Sequence, residues 1–380
     1  MMEQTRPQVT ANSILNRIWA QGTARWHSHS SMAPFSYRLG ASSCSKKTSL
    51  RPAENGKTLF NNSLLDRDPS FFTSLPRHSG EDAFFMAHIA KSNRYVAFGI
   101  ADGVGGWADS GVDPGEFSHG LCKYMAEKTY RPESADDLRP QKLLQHGYDL
   151  VQANQKIAAG GSTACIAAMQ PNGSVEVANL GDSGFLILQP NKVAFRSPAQ
   201  THAFNTPYQL SKLTPRMRAQ NAMFGRGAAI SESPKDADVT NHQVTHGDVL
   251  VFATDGVWDN LSPIDTLAII TPLMEKHGYW SSSKGSTANV NTDALRPPPS
   301  DKDASKAVDS LPAELAYAVT KAAKLAGLDQ RRNGPFAKEV HRYYPNENWR
   351  GGKPDDIAVI VAVAIQDRAA PADQPIKARL

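Results

Sequence analysis

The sequence predicts an α+β protein in which antiparallel β-sheets are covered by helices. Three observations support this fold class: short apolar runs typical of buried strands, longer amphipathic stretches typical of helices, and hairpin-type connections between neighbouring runs. The connection at Asn172-Gly173 is the clearest, because Asn-Gly between two apolar runs is a strong signal of a hairpin. One hydrophobic core over residues 68–367 is large but feasible for a single domain.

The individual elements follow from the period of the apolar residues. Strands are predicted where compact apolar runs end at glycine or aspartate. The helix at 115–130 is predicted because Phe117, Leu121, Tyr124 and Met125 fall on one stripe. The predicted strands are 95–100, 162–169, 174–180, 184–188, 248–253 and 357–365, and the predicted helices are 115–130, 138–159, 264–276 and 311–326.

Residues 1–60 form a basic leader in this interpretation. They carry a net charge of +6 and no aspartate, which leaves −2 for the rest of the chain and gives no basic face for nucleic acid. Ile14, Leu15, Ile18 and Trp19 lie on one face of a short helix, as in a mitochondrial transit peptide. We expect a mitochondrial protein, in the matrix; a solvated tail on a cytoplasmic protein is the alternative.

Two further segments are predicted to lie outside the core. Residues 281–310 are polar, contain Pro297-Pro298-Pro299 and have few apolar side chains, so we expect a disordered insertion. Residues 368–380 are expected to form a C-terminal tail. The longest apolar run has nine residues, whereas a membrane span needs roughly 20, so no transmembrane segment is expected. The three cysteines lack paired or metal-type spacing, which favours a reducing compartment. We expect a monomer.

Five short motifs place aspartates beside glycine or a second acid at the edges of apolar runs. A carboxylate at a strand end is held on a rigid element, and several gathered in one domain would repel one another. Hard divalent cations, which prefer oxygen ligands, would relieve that repulsion. The motifs are Gly80-Glu81-Asp82, Asp102-Gly103, Gly181-Asp182-Ser183, Asp255-Gly256-Val257-Trp258-Asp259 and Asp355-Asp356.

Together with Arg77 and Gly161-Ser162-Thr163-Ala164, these motifs occur in the order seen in a known family. Over about 300 of its 380 residues the chain resembles the PPM, or type 2C, metal-dependent serine/threonine protein phosphatases. Asp102-Gly-Val-Gly-Gly-Trp107 and Phe204-Asn-Thr-Pro-Tyr-Gln-Leu210 resemble the mitochondrial branch in particular.

The resemblance implies two central antiparallel sheets flanked by helices, an αββα sandwich, with a binuclear Mg²⁺ or Mn²⁺ centre at one end. It implies that Asp102 bridges the two ions and that Gly103 offers its carbonyl to one of them. Glu81 is the implied partner carboxylate, with Asp82 beside it. Asp255 and Asp355 are the implied ligands of the other ion. A third, looser ion is implied at Asp182, Asp255 and Asp259.

The implied chemistry is hydrolysis of phosphoserine and phosphothreonine by a water that the two ions activate. Arg77, four residues before Glu81, is the implied phosphate-binding residue, since a guanidinium can hold two phosphate oxygens at once. Many members have histidine after the Asp-Gly pair as a general acid. Val104 stands there in this chain, so the acid is left open among a bound water, His78, His119 and His202.

Two classes of function remain open. The first is an active phosphatase whose substrates are phosphoproteins, with coenzyme Q biosynthesis factors implied by the mitochondrial branch. The second is a pseudophosphatase that uses the fold for binding or regulation. The presence of Asp102, Asp255 and Asp355 favours the enzyme. A two-metal nuclease fits the carboxylates, but it does not fit the net charge of −2 outside the leader.

Overall fold

The structure is a computed structural model of the chain. It describes residues 33–47, 59–61, 71–74, 76–89, 92–223, 232–281, 289–298 and 300–368. At residues 59–61, 77, 221 and 222 the description covers the backbone alone.

The described residues form strands and helices in the following order. The strands are β1 Phe35–Cys44, β2 Leu59–Asn61, β3 Phe71–Thr73, β4 Ala83–His88, β5 Val96–Ala101, β6 Gly160–Ser162, β7 Ala164–Met169, β8 Ser174–Leu180, β9 Gly184–Gln189, β10 Lys192–Arg196, β11 Thr201–Ala203, β12 Thr206–Pro207, β13 Leu210–Lys212, β14 Asp238–Gln243, β15 Val249–Ala253, β16 Trp280–Ser281, β17 Asn289–Val290 and β18 Ile357–Gln366. The helices are α1 Pro76–Ser79, α2 Pro114–Tyr130, α3 Pro140–Ala153, α4 Pro215–Met223, α5 Asp255–Trp258, α6 Pro263–Lys276, α7 Lys302–Leu328 and α8 Pro335–Tyr343.

Two six-stranded antiparallel sheets form the centre of the molecule. The first has the strand order β10-β9-β15-β18-β1-β2, and the second has the order β14-β8-β7-β5-β4-β3. The hairpin predicted at Asn172-Gly173 is confirmed: residues 170–173 join β7 to β8, and Gly173 has a positive φ of 82°.

The two sheets pack face to face, and helices cover both outer faces. Phe98 of β5 and Phe252 of β15 meet edge to face between the sheets, with ring centroids 4.9 Å apart. Helices α6 and α7 cover the first sheet, and α2 and α3 cover the second. The predicted αββα sandwich is therefore confirmed. Within the described residues, none of the helices has the length and apolar character that crossing a bilayer requires.

Strand β18 explains why its sequence is an unbroken apolar run. Ile357, Val359 and Val361 point to the layer of α6 and α7, whereas Ala358 and Ile360 point to the opposite sheet. A strand that is buried on both faces cannot alternate between apolar and polar residues. The run is therefore a central strand, and it carries the Asp355-Asp356 motif at its start.

The predicted extent of the leader is wrong. β1, at 35–44, lies between β18 and β2 in the first sheet and pairs with β18 along its whole length, from Phe35 with Gln366 to Cys44 with Ile357. Phe35, Tyr37 and Leu39 are buried in the core between the sheets, so the folded domain includes β1 and does not begin at 68. Residues 1–32, which include the predicted targeting helix, lie outside the described residues.

The predicted disordered insertion is also wrong for most of its length. β16 pairs with β17, the side chain of Leu295 is buried, and α7 begins at Lys302 with Asp301 as its N-cap. Val290 and Val308 of this stretch also pack against the core, and the N-cap helps α7 to begin within it. Residues 282–288 and 299 lie outside the described residues, as do residues 369–380 of the predicted tail.

Candidate metal centre

The acidic motifs meet at one end of the sandwich. Ala83 at the start of β4 pairs with Ala101 at the end of β5, so Asp82 and Asp102 lie on neighbouring strands of one sheet. Ala253 at the end of β15 pairs with Val359 near the start of β18, so Asp255 and Asp355 meet in the other sheet. Antiparallel pairing in each sheet therefore brings acids from distant parts of the chain to one edge.

Asp82 joins the two sheets at this edge. It is buried, and its Oδ2 accepts a hydrogen bond from the Thr254 hydroxyl at 2.7 Å. The same hydroxyl oxygen accepts the backbone N–H of Ala358 at 3.0 Å. The single threonine thus links β4 of one sheet to the ends of β15 and β18 in the other.

A close backbone contact sets the position of Glu81. Its N–H donates to Asp356 Oδ2 at 2.9 Å, and its carbonyl accepts the N–H of Gly103 at 3.2 Å. A Cβ on Gly103 would lie 2.6 Å from the Glu81 carbonyl oxygen, so this position requires glycine. Asp356 acts here as an acceptor for the backbone that carries Glu81.

The acids line a cavity of about 450 Å³. A neighbouring cavity of about 230 Å³ shares Asp182 and Asp255 with it and adds Asp259. The larger cavity brings together most of the residues that the resemblance implied as ligands: Glu81, Asp82, Asp102, Gly103, Asp182, Asp255 and Asp355.

The carboxyl groups strongly perturb one another. Burial, together with the nearby charge of Asp255, raises the pKa of Asp102 well above its usual value, and burial with Asp356 does the same to the pKa of Asp82. Burial and Asp255 also raise the pKa of Asp259 to about 7 and that of Asp355 to about 6. The site therefore holds more negative charge than its protein cations balance.

Lys353 provides the principal protein cation among these acids. Its Nζ lies 2.6 Å from Asp255 Oδ2, 2.7 Å from Asp259 Oδ2 and 3.3 Å from Asp355 Oδ2. Burial alone would raise the pKa of Asp255, but the ammonium group of Lys353 reverses the effect and lowers it. The three carboxylates likewise outweigh the effect of burial on Lys353 and raise its pKa.

A second ammonium group, that of Lys46, reaches the opposite side of the cavity. Its Nζ lies 2.9 Å from Glu81 Oε2, and its backbone N–H donates to Asp356 Oδ1 at 2.5 Å. Lys46 lies two residues after the end of β1, so its place at the site depends on that strand.

The candidate ligands suit hard divalent cations, because they are oxygen donors and one of them is a buried oxygen without a hydrogen-bond partner among the described residues. That buried oxygen is Asp182 Oδ1. In the part of the chain that the structure describes, no three His, Cys, Asp or Glu side chains are arranged as they stand to hold one metal ion. The acids converge on the Lys353 ammonium instead, so direct ligation requires side-chain adjustment around it.

The remaining catalytic candidates are less closely tied to the cavity. Arg77 lies on α1, and its side chain is outside the described residues. His119 Nε2 lies 3.1 Å from the Gly80 carbonyl, and His202 Nε2 lies 2.9 Å from Glu232 Oε1. Neither His78, His119 nor His202 is among the described residues that line the cavity of about 450 Å³, whereas Val104 is.

Sequence reasoning missed Lys353, Lys46 and Asn260. Lys353 stands two residues before Asp355, but a lysine beside acids is usually a solvated surface charge. Lys46 lies within residues 1–60, which the sequence predicts to be a leader, so nothing in the sequence places it at the site. Asn260 holds the Lys353 backbone through two hydrogen bonds, for which the sequence gives no signal.

Comparisons with known proteins agree with this fold, although no protein-family model matches the chain. The chain is 32% identical over 288 residues to the Xenopus laevis "Protein phosphatase PTC7 homolog", which covers 76% of this chain and 82% of that protein. It is 32% identical over 307 residues to the Saccharomyces cerevisiae "Protein phosphatase 2C homolog 7, mitochondrial", covering 78% of each chain.

Among solved structures, the chain resembles the photosystem II phosphatase PBCP. The two superpose with a TM-score of 0.55 at 26% sequence identity, and the match covers 77% of this chain and 97% of that one.

Proposed function

Since the chain belongs to the type 2C, or PPM, family of protein phosphatases, we propose that its acidic cavity is a binuclear Mg²⁺ or Mn²⁺ centre that hydrolyses phosphoserine and phosphothreonine in proteins. Members of this family are protein serine/threonine phosphatases, and so is this chain. The observation that carries the metal proposal is the convergence of acids from both sheets on one cavity.

We assign to each of the two ions its own set of oxygen ligands, with Asp102 common to both sets. Asp102, which directly follows β5, would contribute to holding both ions, and its pKa is raised by burial and by the nearby charges of Asp255 and Asp82. Glu81 and the Gly103 carbonyl would hold the first ion, with Asp82 beside them. Asp255 and Asp355, which come from the other sheet, would hold the second.

The bound ions would neutralise the phosphate and lower the pKa of a water between them. The protein contributes rigid placement. Asp82 is fixed by Thr254, and Glu81 is fixed through its backbone by Asp356 and Gly103. We assign Arg77 to the phosphate, because α1 leads directly into the turn before Glu81.

The cellular location and the substrates follow from the relatives. The yeast relative is named a mitochondrial protein, and we propose the mitochondrial matrix for this chain as well. Its substrates would then be phosphoproteins of that compartment, and coenzyme Q biosynthesis proteins are the class that the family resemblance implies.

The test is hydrolysis of a phosphoserine peptide by the full-length protein after complete removal of metal. We expect no turnover until Mn²⁺ or Mg²⁺ is added, and EDTA should abolish it reversibly. Asp102→Asn should reduce kcat by more than the roughly 10- to 100-fold typical of outer metal partners, because it removes a bridging charge.

Asp109→Asn is the matched control. Asp109 lies in the short 3₁₀ helix after Val104, is exposed, and should retain wild-type turnover. Full activity of Asp102→Asn without metal would contradict the proposed centre. A correctly folded wild-type protein that hydrolyses nothing with either ion would support the pseudophosphatase instead.

A further inference from the structure

We propose that the ammonium group of Lys353 is a tethered cation that takes the place of the third, looser metal ion, so that the centre binds two ions and not three. The inference rests on the proposed phosphatase function. It concerns the acids Asp182, Asp255 and Asp259, which the family resemblance would assign to that third ion.

The distances carry the inference. Lys353 Nζ lies 2.6 Å from Asp255 and 2.7 Å from Asp259, but 3.3 Å from Asp355, so the ammonium is nearest to the two acids of the third-ion set. A Mg²⁺ ion bound to the same oxygens would need to lie about 2.0–2.1 Å from them. An ion and the ammonium group cannot both occupy that space, and their like charges repel each other.

Lys353 is held in place more firmly than a surface lysine. Asn260, which is itself buried, binds the Lys353 backbone at both its N–H and its carbonyl. The ammonium lies 5.5 Å from the centre of the Phe336 ring, and 19% of the side chain is exposed. Pro354 restricts the backbone conformation of Lys353, the residue before it. These contacts direct the side chain into the acid cluster.

Asp182 is the acid of the third-ion set for which no contact with the Lys353 ammonium is observed among the described residues. Its Oδ1 is buried without a hydrogen-bond partner in the described part of the chain, and Asp182 lines the same cavity as Asp255 and Asp259. Removal of Lys353 would leave three carboxylates around a cavity of about 230 Å³ without their principal cation. That arrangement should then accept a divalent ion that the wild-type protein excludes.

The test counts Mn²⁺ ions per chain by equilibrium dialysis with atomic absorption, at a free Mn²⁺ concentration that saturates wild type. We expect two ions for wild type, three for Lys353→Met and two for Lys353→Arg, which keeps the charge. Lys123→Met is the matched control: it removes an exposed ammonium group on α2 that pairs with Glu127, outside the cavity, and should still bind two ions.

Three ions on wild type, or two on Lys353→Met, would overturn the inference. If Lys353→Met does not fold, Asp259→Asn provides the second test. It should bind as many ions as wild type, because no ion uses Asp259 while Lys353 is present. Loss of one ion in Asp259→Asn would overturn the inference. Failure of wild type to bind any Mn²⁺ would instead refute the proposed function.

Discussion

The side-chain amide of Asn260 forms two hydrogen bonds with the backbone of Lys353. Its Nδ2 donates to the Lys353 carbonyl at 2.8 Å, and its Oδ1 accepts the Lys353 N–H at 3.0 Å. The same Nδ2 donates to the Gly256 carbonyl at 2.9 Å, next to Asp255. One buried amide therefore sets the relative position of the lysine and an acid that it neutralises, although the two lie in separate parts of the chain.

Asn260→Ala should lower the free energy of unfolding by about 1–3 kcal/mol, because it leaves buried backbone groups without partners. It should also weaken Mn²⁺ binding, since Asp255 and Lys353 lose their common support. Chemical denaturation and a Mn²⁺ titration measure the two effects. Asn241→Ala, at an exposed position on β14, should stay within about 0.5 kcal/mol of wild type. Equal effects of the two substitutions would refute a specific role for Asn260.

Gly103→Ala tests the close approach of the loop after β5 to Glu81. A Cβ at Gly103 would lie 2.6 Å from the Glu81 carbonyl and 2.9 Å from that of Pro114, both of them backbone atoms that cannot turn away. We expect a loss of about 1–3 kcal/mol in unfolding free energy. Gly106→Ala is the control, since a Cβ there would meet nothing within 4 Å among the described residues. A Gly103→Ala protein as stable as Gly106→Ala would show that the loop can move aside.

The place of β1 in the first sheet predicts how much of the N-terminal region the fold can lose. Deletion of residues 1–32 should leave the melting temperature nearly unchanged. Deletion of residues 1–44 removes Phe35, Tyr37 and Leu39 from the core, at about 2–5 kcal/mol for each large side chain, which together approaches the whole stability of a typical domain. Circular dichroism melts of the two truncated proteins test this. A folded 45–380 protein with a sharp melt would contradict the role of β1.

His246 predicts a loss of stability in mild acid. Burial, with the charge of Arg296, lowers its pKa to about 4, while Gln366 N–H donates to Nδ1 at 2.9 Å. Because the unfolded chain takes up the proton near pH 6.5 and the folded chain does so only at a lower pH, His246 lowers the free energy of unfolding as the pH falls from 7 to 5. His246→Asn, which keeps an acceptor near Nδ1, should reduce this pH dependence of unfolding. An unchanged acid limb in the variant would rule out His246 as its source.

The sequence predicts the αββα fold well where local signals are strong. The hairpin at Asn172-Gly173, the helix Pro263–Lys276 and the apolar strand Ile357–Gln366 all have patterns within a few residues of chain. β1 was missed because its pattern is interrupted by Arg38 and Gly40, and because its partner strand is more than 300 residues away. Gly40 is in fact required, since a side chain there would collide with the backbone of Ala313 in α7.

The acids of the site could be predicted, but the cations could not. Asp102, Asp255 and Asp355 each lie within two residues of a strand end, and the pattern of glycine and apolar residues around them is visible in the sequence. The position of Lys353 depends on a hydrogen bond from its backbone to Asn260, which is distant in sequence. The position of Lys46 depends on a hydrogen bond from its backbone to Asp356, and so on the placement of β1 beside β18. The number of cations that balance the acids could therefore be determined only from the folded structure.

Anomalous diffraction from crystals of the full-length protein grown with Mn²⁺ tests the central claim most directly. The account predicts two Mn²⁺ peaks in the cavity of about 450 Å³, with carboxylate oxygens of Asp102 at about 2.0–2.3 Å from both ions and Lys353 still beside Asp259. Crystals with no Mn²⁺ in this cavity, or with ions that do not contact Asp102, would contradict it.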